Sequence, residues 1–262
     1  MLAAQPSIDD RATRRIFVVR RAGFSAAPPS DPSRRRHTIA RLSRKVIKTL
    51  RQQGPKAMTL KTLAPVGITR SVIVYTMQHE QILKRGTPVP GVTVQLLNEG
   101  DIPAYCVFRS ITAEEVITAE GVIARLRRGD RCIVAWDEGR VVGARWLTTV
   151  SADIPDLGVS FPVHSGIAYA YDLFTAPKER GRGIGAMVSA ASFECATATG
   201  ATRVINAVLP ENRGGQGIAR GRSKRLGMLR SNRLGSRLIV RCQLPPGYLG
   251  APMELRHGEE VQ

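Results

Sequence analysis

Thr175-Ala176-Pro177-Lys178-Glu179-Arg180-Gly181-Arg182-Gly183-Ile184-Gly185-Ala186 follows a mostly apolar run, residues 166–174, and leads into a long run of small residues, about 183–199. This order predicts a strand, a glycine-rich turn and the start of a helix. Glycine tolerates positive φ and lets a ligand reach the bare backbone. A helix start adds unsatisfied N–H donors and a partial positive charge. Arg180 and Arg182 add full charges. The stretch reads as a cradle for a pyrophosphate.

Several elements precede the cradle. Residues 92–97 alternate like a strand, and Asn98-Glu99-Gly100-Asp101 opens helical stretches that run to about residue 128. Residues 131–136 and 140–150 form two strands around Asp137-Glu138-Gly139, a hairpin turn. Residues 153–165 read as a loop, and residues 167–175 as the strand feeding the glycines. After the small-residue helix come a strand at 203–209 and a helix opened by Glu211-Asn212 that ends near Arg225. Closing strands follow at 228–229 and 238–243, and a Pro- and Gly-rich tail begins at Pro245.

With its glycine turn after the fourth of these strands, the pattern resembles the GCN5-related N-acetyltransferase (GNAT) superfamily over about residues 90–244. The family signature is Gln/Arg-x-x-Gly-x-Gly/Ala, and Arg180-Gly181-Arg182-Gly183-Ile184-Gly185 fits every position. Thr175-Ala176-Pro177 is similar to the Val-x-Pro that ends the preceding strand in the family. Asn212 and Arg225-Leu226-Gly227-Met228 are similar to a second motif, although the Asn-to-Gly spacing is about one helical turn longer. Ser223 stands where the family commonly has Tyr.

The resemblance implies an α/β (α+β) fold with a mixed, mostly antiparallel sheet flanked by helices. It also implies acetyl-CoA as acyl donor and an amine as acceptor. The CoA pyrophosphate would lie on the backbone of Arg180, Gly181, Arg182, Gly183, Ile184, Gly185 and Ala186, and Asn212 would join the donor site. The backbone of Phe174 and Thr175 would pair with the pantetheine arm like an added strand, between two splayed strands. An ammonium must lose a proton before it attacks a thioester. Asp172, the nearest carboxylate upstream of the cradle, is a candidate base if it faces the cleft; the competing role is a structural carboxylate held by backbone or Arg. Strand alternation puts Tyr169 and Tyr171 on the face opposite Asp172. Ser223 leaves the usual general acid missing.

The chain of 262 residues carries a net charge of +18, concentrated near its start. Fourteen Lys and Arg residues lie between 11 and 56, opposed only by Asp31. Residues 1–36 are rich in arginine and turn formers and are expected to be a disordered basic tail. Residues 37–53 have apolar residues at helical spacing, Ile39, Leu42, Val46, Ile47 and Leu50, on an otherwise basic segment ended by Gly54-Pro55. The expected organisation is a tail at 1–36, a basic helical extension and linker at 37–90, the acetyltransferase domain at 91–244 and a second tail at 245–262. Residues 37–56 offer a contact to an anionic membrane or to nucleic acid, and the rival role is packing against the main domain.

Other classes fit less well. Gly181-x-Gly183-x-x-Ala186 also matches a dinucleotide fingerprint, but the following strand holds Asn206 and no acid to bind a ribose. The glycines are not followed by Gly-Lys-Ser/Thr, which excludes a P-loop. Cys106, Cys132, Cys195 and Cys242 form no CxxC pair, and His37, His79, His164 and His257 have no ligand spacing, so no metal is expected. His164, in the loop before the key strand, is a distant acceptor-site candidate. Cysteine usage and the lack of a long apolar run fit a cytoplasmic protein. A non-catalytic acyl-CoA-binding or polyanion-binding protein, using the basic N-terminal arm, is the alternative to an enzyme.

Overall fold

The computed structural model describes residues 13–20, 69–78, 88–112, 117–234 and 237–255. The strands are β1 (Thr13–Arg20), β2 (Arg70–Gln78), β3 (Val92–Leu96), β4 (Arg131–Asp137), β5 (Arg140–Thr148), β6 (Ser151–Ile154), β7 (Val159–Pro162), β8 (Ile167–Thr175), β9 (Arg203–Val208), β10 (Lys224–Leu234), β11 (Arg237–Leu244) and β12 (Met253–Glu254). The helices are α1 (Ile102–Thr112), α2 (Ala119–Arg127), α3 (Ile184–Ala198) and α4 (Arg213–Arg222). Nine strands form one sheet in the order β1-β11-β10-β2-β9-β8-β5-β4-β3, and β12-β7-β6 form a second. In the large sheet β8 and β9 pair in parallel, and every other neighbouring pair is antiparallel. This is the expected mixed, mostly antiparallel sheet with helices on its faces.

The hairpin between β4 and β5 turns at Glu138 and Gly139, with φ of 48° and 73°. Two successive left-handed residues match the twist of the flanking strands. Beyond Arg140 every residue of β5 is buried, as expected for a strand covered on both faces. On one face Ile184, Val188, Phe193 and Ala196 of α3 pack on Ile133, Val142 and Leu147. On the other, Tyr105 and Phe108 of α1 and Val122 of α2 pack on Cys132, Val134 and Trp146. The Trp146 indole N–H donates to the Tyr105 hydroxyl at 2.7 Å, which satisfies a polar group in the middle of that core.

The sheet reaches upstream of residue 91, so the boundary expected there cuts off one of its central strands. β2 lies between β9 and β10. Its sequence explains the position: Val72 and Val74 join the core under the small sheet, while Ile73 and Tyr75 pack towards α4. A strand apolar on both faces belongs in the interior of a sheet. β1, inside the segment expected to be a tail, forms the outer edge against β11. The expected loop at 153–165 instead contributes to β6 and β7, and the expected C-terminal tail supplies β12 and the buried Tyr248 and Leu249. The helix expected at 37–53 lies outside the described residues.

Candidate active site

The site grows from a divergence between two strands. β8 and β9 are paired only at Ile167–Arg203, Ala168–Val204 and Tyr169–Ile205. Beyond Tyr169, β8 continues to Thr175 against β5 alone, while β9 continues against β2. The inner backbone edge of β8 is therefore open over its second half. An open edge is a template for an added extended chain.

A bulge accompanies the divergence. On β5, Ala144 pairs with Phe174 and Trp146 with Tyr171, so β8 holds one extra residue there. Asp172 takes up the distortion at a φ of 51°, a conformation uncommon outside glycine. The bulge overturns the expected alternation. Tyr171 stacks on Trp146, with ring centroids 6.3 Å apart, and Asp172 reaches the same face. Its two carboxylate oxygens meet Arg109 of α1 at 2.9 Å and Arg125 of α2 at 3.4 Å. The carboxylate thus ties both helices to the bulge, the structural role that competed with a base.

Beside it, the Tyr171 hydroxyl donates to Asp130 at 2.5 Å, and Arg128 pairs with Asp130 at 2.5 Å and Asp153 at 2.8 Å. Burial, reinforced by the charge of Asp130, raises the Tyr171 pKa well above the ordinary tyrosine value, so the hydroxyl keeps its proton.

The cradle lies at the end of β8. A 3-10 turn at Pro177–Glu179 leads into Gly181 and Gly183, with φ of 84° and 91°, and α3 begins at Ile184 without a side-chain cap. Among the described residues, the backbone N–H groups from Gly181 to Gly185 donate to no protein acceptor. Ile184 is buried and anchors the turn, while Gly181, Arg182 and Gly183 are exposed. A Cβ on Gly185 would sit 3.3 Å from the Thr175 hydroxyl and 3.6 Å from Ile218, so strand end, helix start and α4 converge there.

The two cradle arginines differ. Arg180 is exposed and lies 5.7 Å from the centroid of the Phe174 ring. Arg182 is paired with Asp137 at 2.7 Å and with Glu179, so protein carboxylates already hold its guanidinium.

Asn212 caps α4 by accepting from the Gly215 N–H at 2.9 Å, and it is Ile218 of that helix which reaches the cradle. Tyr75 donates to Gln216 and fixes α4 to β2. Ser223 closes α4 through its own N–H to Ala219. His164 lies before β8, at the strand end opposite the cradle.

Asn206 was not a binding candidate from sequence. It is the first β9 residue past the last β8 pair, and among the described residues its buried Oδ1 has no partner. A lone amide in an apolar strand was the available signal. A bare-backbone turn, an open strand edge and an orphaned amide oxygen between them suit a ligand with a phosphate at one end and amide N–H groups along its arm. That is the chemistry of CoA.

Residues 97–220 match the Acetyltransferase (GNAT) family. Over that span the chain is similar to GNAT acetyltransferases. The matched span contains α1 to α3, most of α4, and β4 to β9, and so the diverging strands and the cradle.

Solved structures similar to this chain include a GCN5-related N-acetyltransferase from Sphaerobacter thermophilus, 14% identical with a TM-score of 0.46, over 91% of this chain and 62% of that one. A ribosomal-protein-alanine N-acetyltransferase from Brucella melitensis is 18% identical with a TM-score of 0.39, over 58% of this chain and 99% of that one. An aminoglycoside acetyltransferase from an uncultured soil metagenomic sample, in complex with sisomicin, is 19% identical with a TM-score of 0.39, over 50% of this chain and 86% of that one. The sequence matches no curated protein. Among the described residues, no cluster of His, Cys, Asp or Glu is arranged to hold a metal, and no helix is long and apolar enough to cross a membrane.

Proposed function

We propose that this GNAT-like domain transfers an acetyl group from acetyl-CoA to a primary amine by direct attack on the thioester. The observation that carries this reading is the open edge of β8 leading straight into the uncapped start of α3. The pyrophosphate rests on the N–H groups of residues 181–185, with Arg180 adding charge; the Ala186 N–H, expected to join them, already donates to the Gly183 carbonyl at 2.9 Å. The pantetheine arm runs along Phe174 and Thr175, with Asn206 facing its amides. Asn212 acts indirectly, by holding α4 against the cradle.

In the reaction the amine nitrogen bonds to the acetyl carbon and the C–S bond breaks. Of the two protons that an ammonium group sheds, one ends on sulfur and one goes to solvent. Asp172 is a positioning residue in this reading, since both of its oxygens are engaged by guanidinium groups. Water takes the amine proton, and no hydroxyl of Ser223 is required.

Thermal shift with acetyl-CoA tests the donor assignment without any acceptor. Stabilisation in the wild type, lost in Gly183→Glu and in Gly185→Glu, is the expected result. A wild type that acetyl-CoA leaves unshifted overturns the reading.

A second reading, docking on a polyanion, draws on a separate observation. Strands β1, β2, β10 and β11 adjoin one another and contain many Arg residues with no Asp or Glu. Acetyl-CoA-independent retention on heparin that falls with salt would support it as an accessory property. Elution at low ionic strength would remove it.

A further inference from the structure

We propose that the guanidinium cluster between α1, α2 and the second half of β8 receives a carboxylate of the acceptor, so that the substrate is an amine that also carries a carboxylate, such as an amino acid. The proposal rests on the acetyl-transfer reading and adds the class of acceptor. Three guanidinium groups stand side by side here, and they are matched unequally. Arg128 has two carboxylates to itself, Asp130 and Asp153. Among the described residues, Arg109 and Arg125 share only Asp172, and each takes one of its oxygens.

Arg109 is 3% exposed, yet among the described residues its Nε and Nη1 have no hydrogen-bond partner. Unfilled donors on a buried cation are costly and call for an acceptor. Both oxygens of Asp172 already accept from the two guanidinium groups, one each. Arg125, with 31% of its side chain exposed, is the accessible member and stacks over Trp146 at 5.2 Å.

The position suits a substrate group. Arg109 lies 5.2 Å from the centroid of the Phe174 ring, and Phe174 belongs to the strand half whose inner edge is open. A carboxylate held by Arg125 and Arg109 above Phe174 would keep an amine on the same molecule beside that edge. Two guanidinium groups on an aromatic floor favour a planar carboxylate, which accepts from both at once.

The experiment compares matched amines with acetyl-CoA as donor: phenylalanine with phenethylamine and with phenylalaninamide, and alanine with ethylamine, read by thiol release. The expected result is a preference for the carboxylate members of about tenfold or more in kcat/KM, the scale of one charged hydrogen bond. That preference should be lost in Arg125→Gln, at a side chain 31% exposed, with circular dichroism checking that the variant is folded. A second readout needs no turnover: with CoA present, the amino acid should raise Tm and the matched amine should not, and Arg125→Gln should abolish the difference.

Equal use of both members of each pair overturns the proposal, as does a preference that survives both Arg125→Gln and Arg109→Lys. A preference for succinyl-CoA over acetyl-CoA that depends on Arg125 would assign the cluster to the donor and overturn the acceptor assignment. Failure of acetyl-CoA itself to stabilise the protein would remove the donor reading and this proposal together, whereas donor binding without carboxylate preference removes only this one.

Discussion

Gly143 of β5 lies directly beneath the first residue of α3, and Gly143→Ala probes how the sheet positions the cradle. A Cβ at this position would sit 2.8 Å from Cγ2 of Ile184, with Phe174 O at 3.5 Å and Ala135 Cβ at 3.6 Å. Carbon atoms prefer about 3.5–4.0 Å, so the start of α3 must retreat by roughly 0.7–1.2 Å. Overpacking of this kind costs about 1–3 kcal/mol. At about 2–4 °C per kcal/mol for a protein of this size, Tm should fall by about 2–12 °C.

The displaced helix start carries the donor N–H groups, so acetyl-CoA affinity should also fall, by about tenfold, or about 1.4 kcal/mol. Ile184→Leu removes the clashing Cγ2 methyl, and the double variant should recover most of both losses, a coupling that a double-mutant cycle measures. Differential scanning fluorimetry and calorimetric titration of acetyl-CoA read the two quantities. An unchanged Tm in Gly143→Ala would refute the close packing. A lowered Tm with full affinity would refute the link between β5 and the donor site.

Three further outcomes are expected. Gly227→Ala drives a methyl into the carbonyl oxygen of Gln243 on β11, with Leu244 a further 3.0 Å contact, so the variant should fail to give soluble folded protein by circular dichroism. Tyr75→Phe removes the donor to Gln216 and leaves a buried amide oxygen short of a partner, which should cost about 1–3 kcal/mol in urea unfolding. Arg145 is 3% exposed, and burial pulls its pKa down to about 10. Its folded-state pKa lies below the unfolded one, so the unfolded chain binds the extra proton above pH 10 and the wild type gains stability from there up to the ordinary arginine range. Below pH 10 the penalty is fully present, at about 3 kcal/mol. Arg145→Met should therefore be the more stable protein at pH 8, and its advantage should shrink at pH 11; a less stable variant at pH 8 would show that the guanidinium is compensated.

The cradle was legible in the sequence because backbone conformation dictates residue type there: Gly181 and Gly183 both sit at positive φ. The β4–β5 hairpin was legible for the same local reason, through Gly139. The position of β2 was not, since Val72–Met77 looks alike as a peripheral or a central strand until β9 and β10 are found on either side of it. The bulge at Asp172 carries no glycine to announce it, and without the bulge alternation puts the carboxylate on the wrong face. Arg109 and Arg125 reach Asp172 from two helices earlier in the chain, and no local spacing encodes that meeting. Asn206 was visible only as a lone amide in an apolar strand, where a ribose-binding acid was missing.

The place of β2 between β9 and β10 has a consequence for biosynthesis. A ribosome releases β2 about 125 residues before β9, which at ~5–20 residues per second is a delay of roughly 6–25 s. Throughout that time a segment apolar on both sides has neither of its hydrogen-bonding neighbours. The nascent protein should therefore depend on a holding chaperone more than its size suggests, and slowing translation between β2 and β9 should lower its soluble yield.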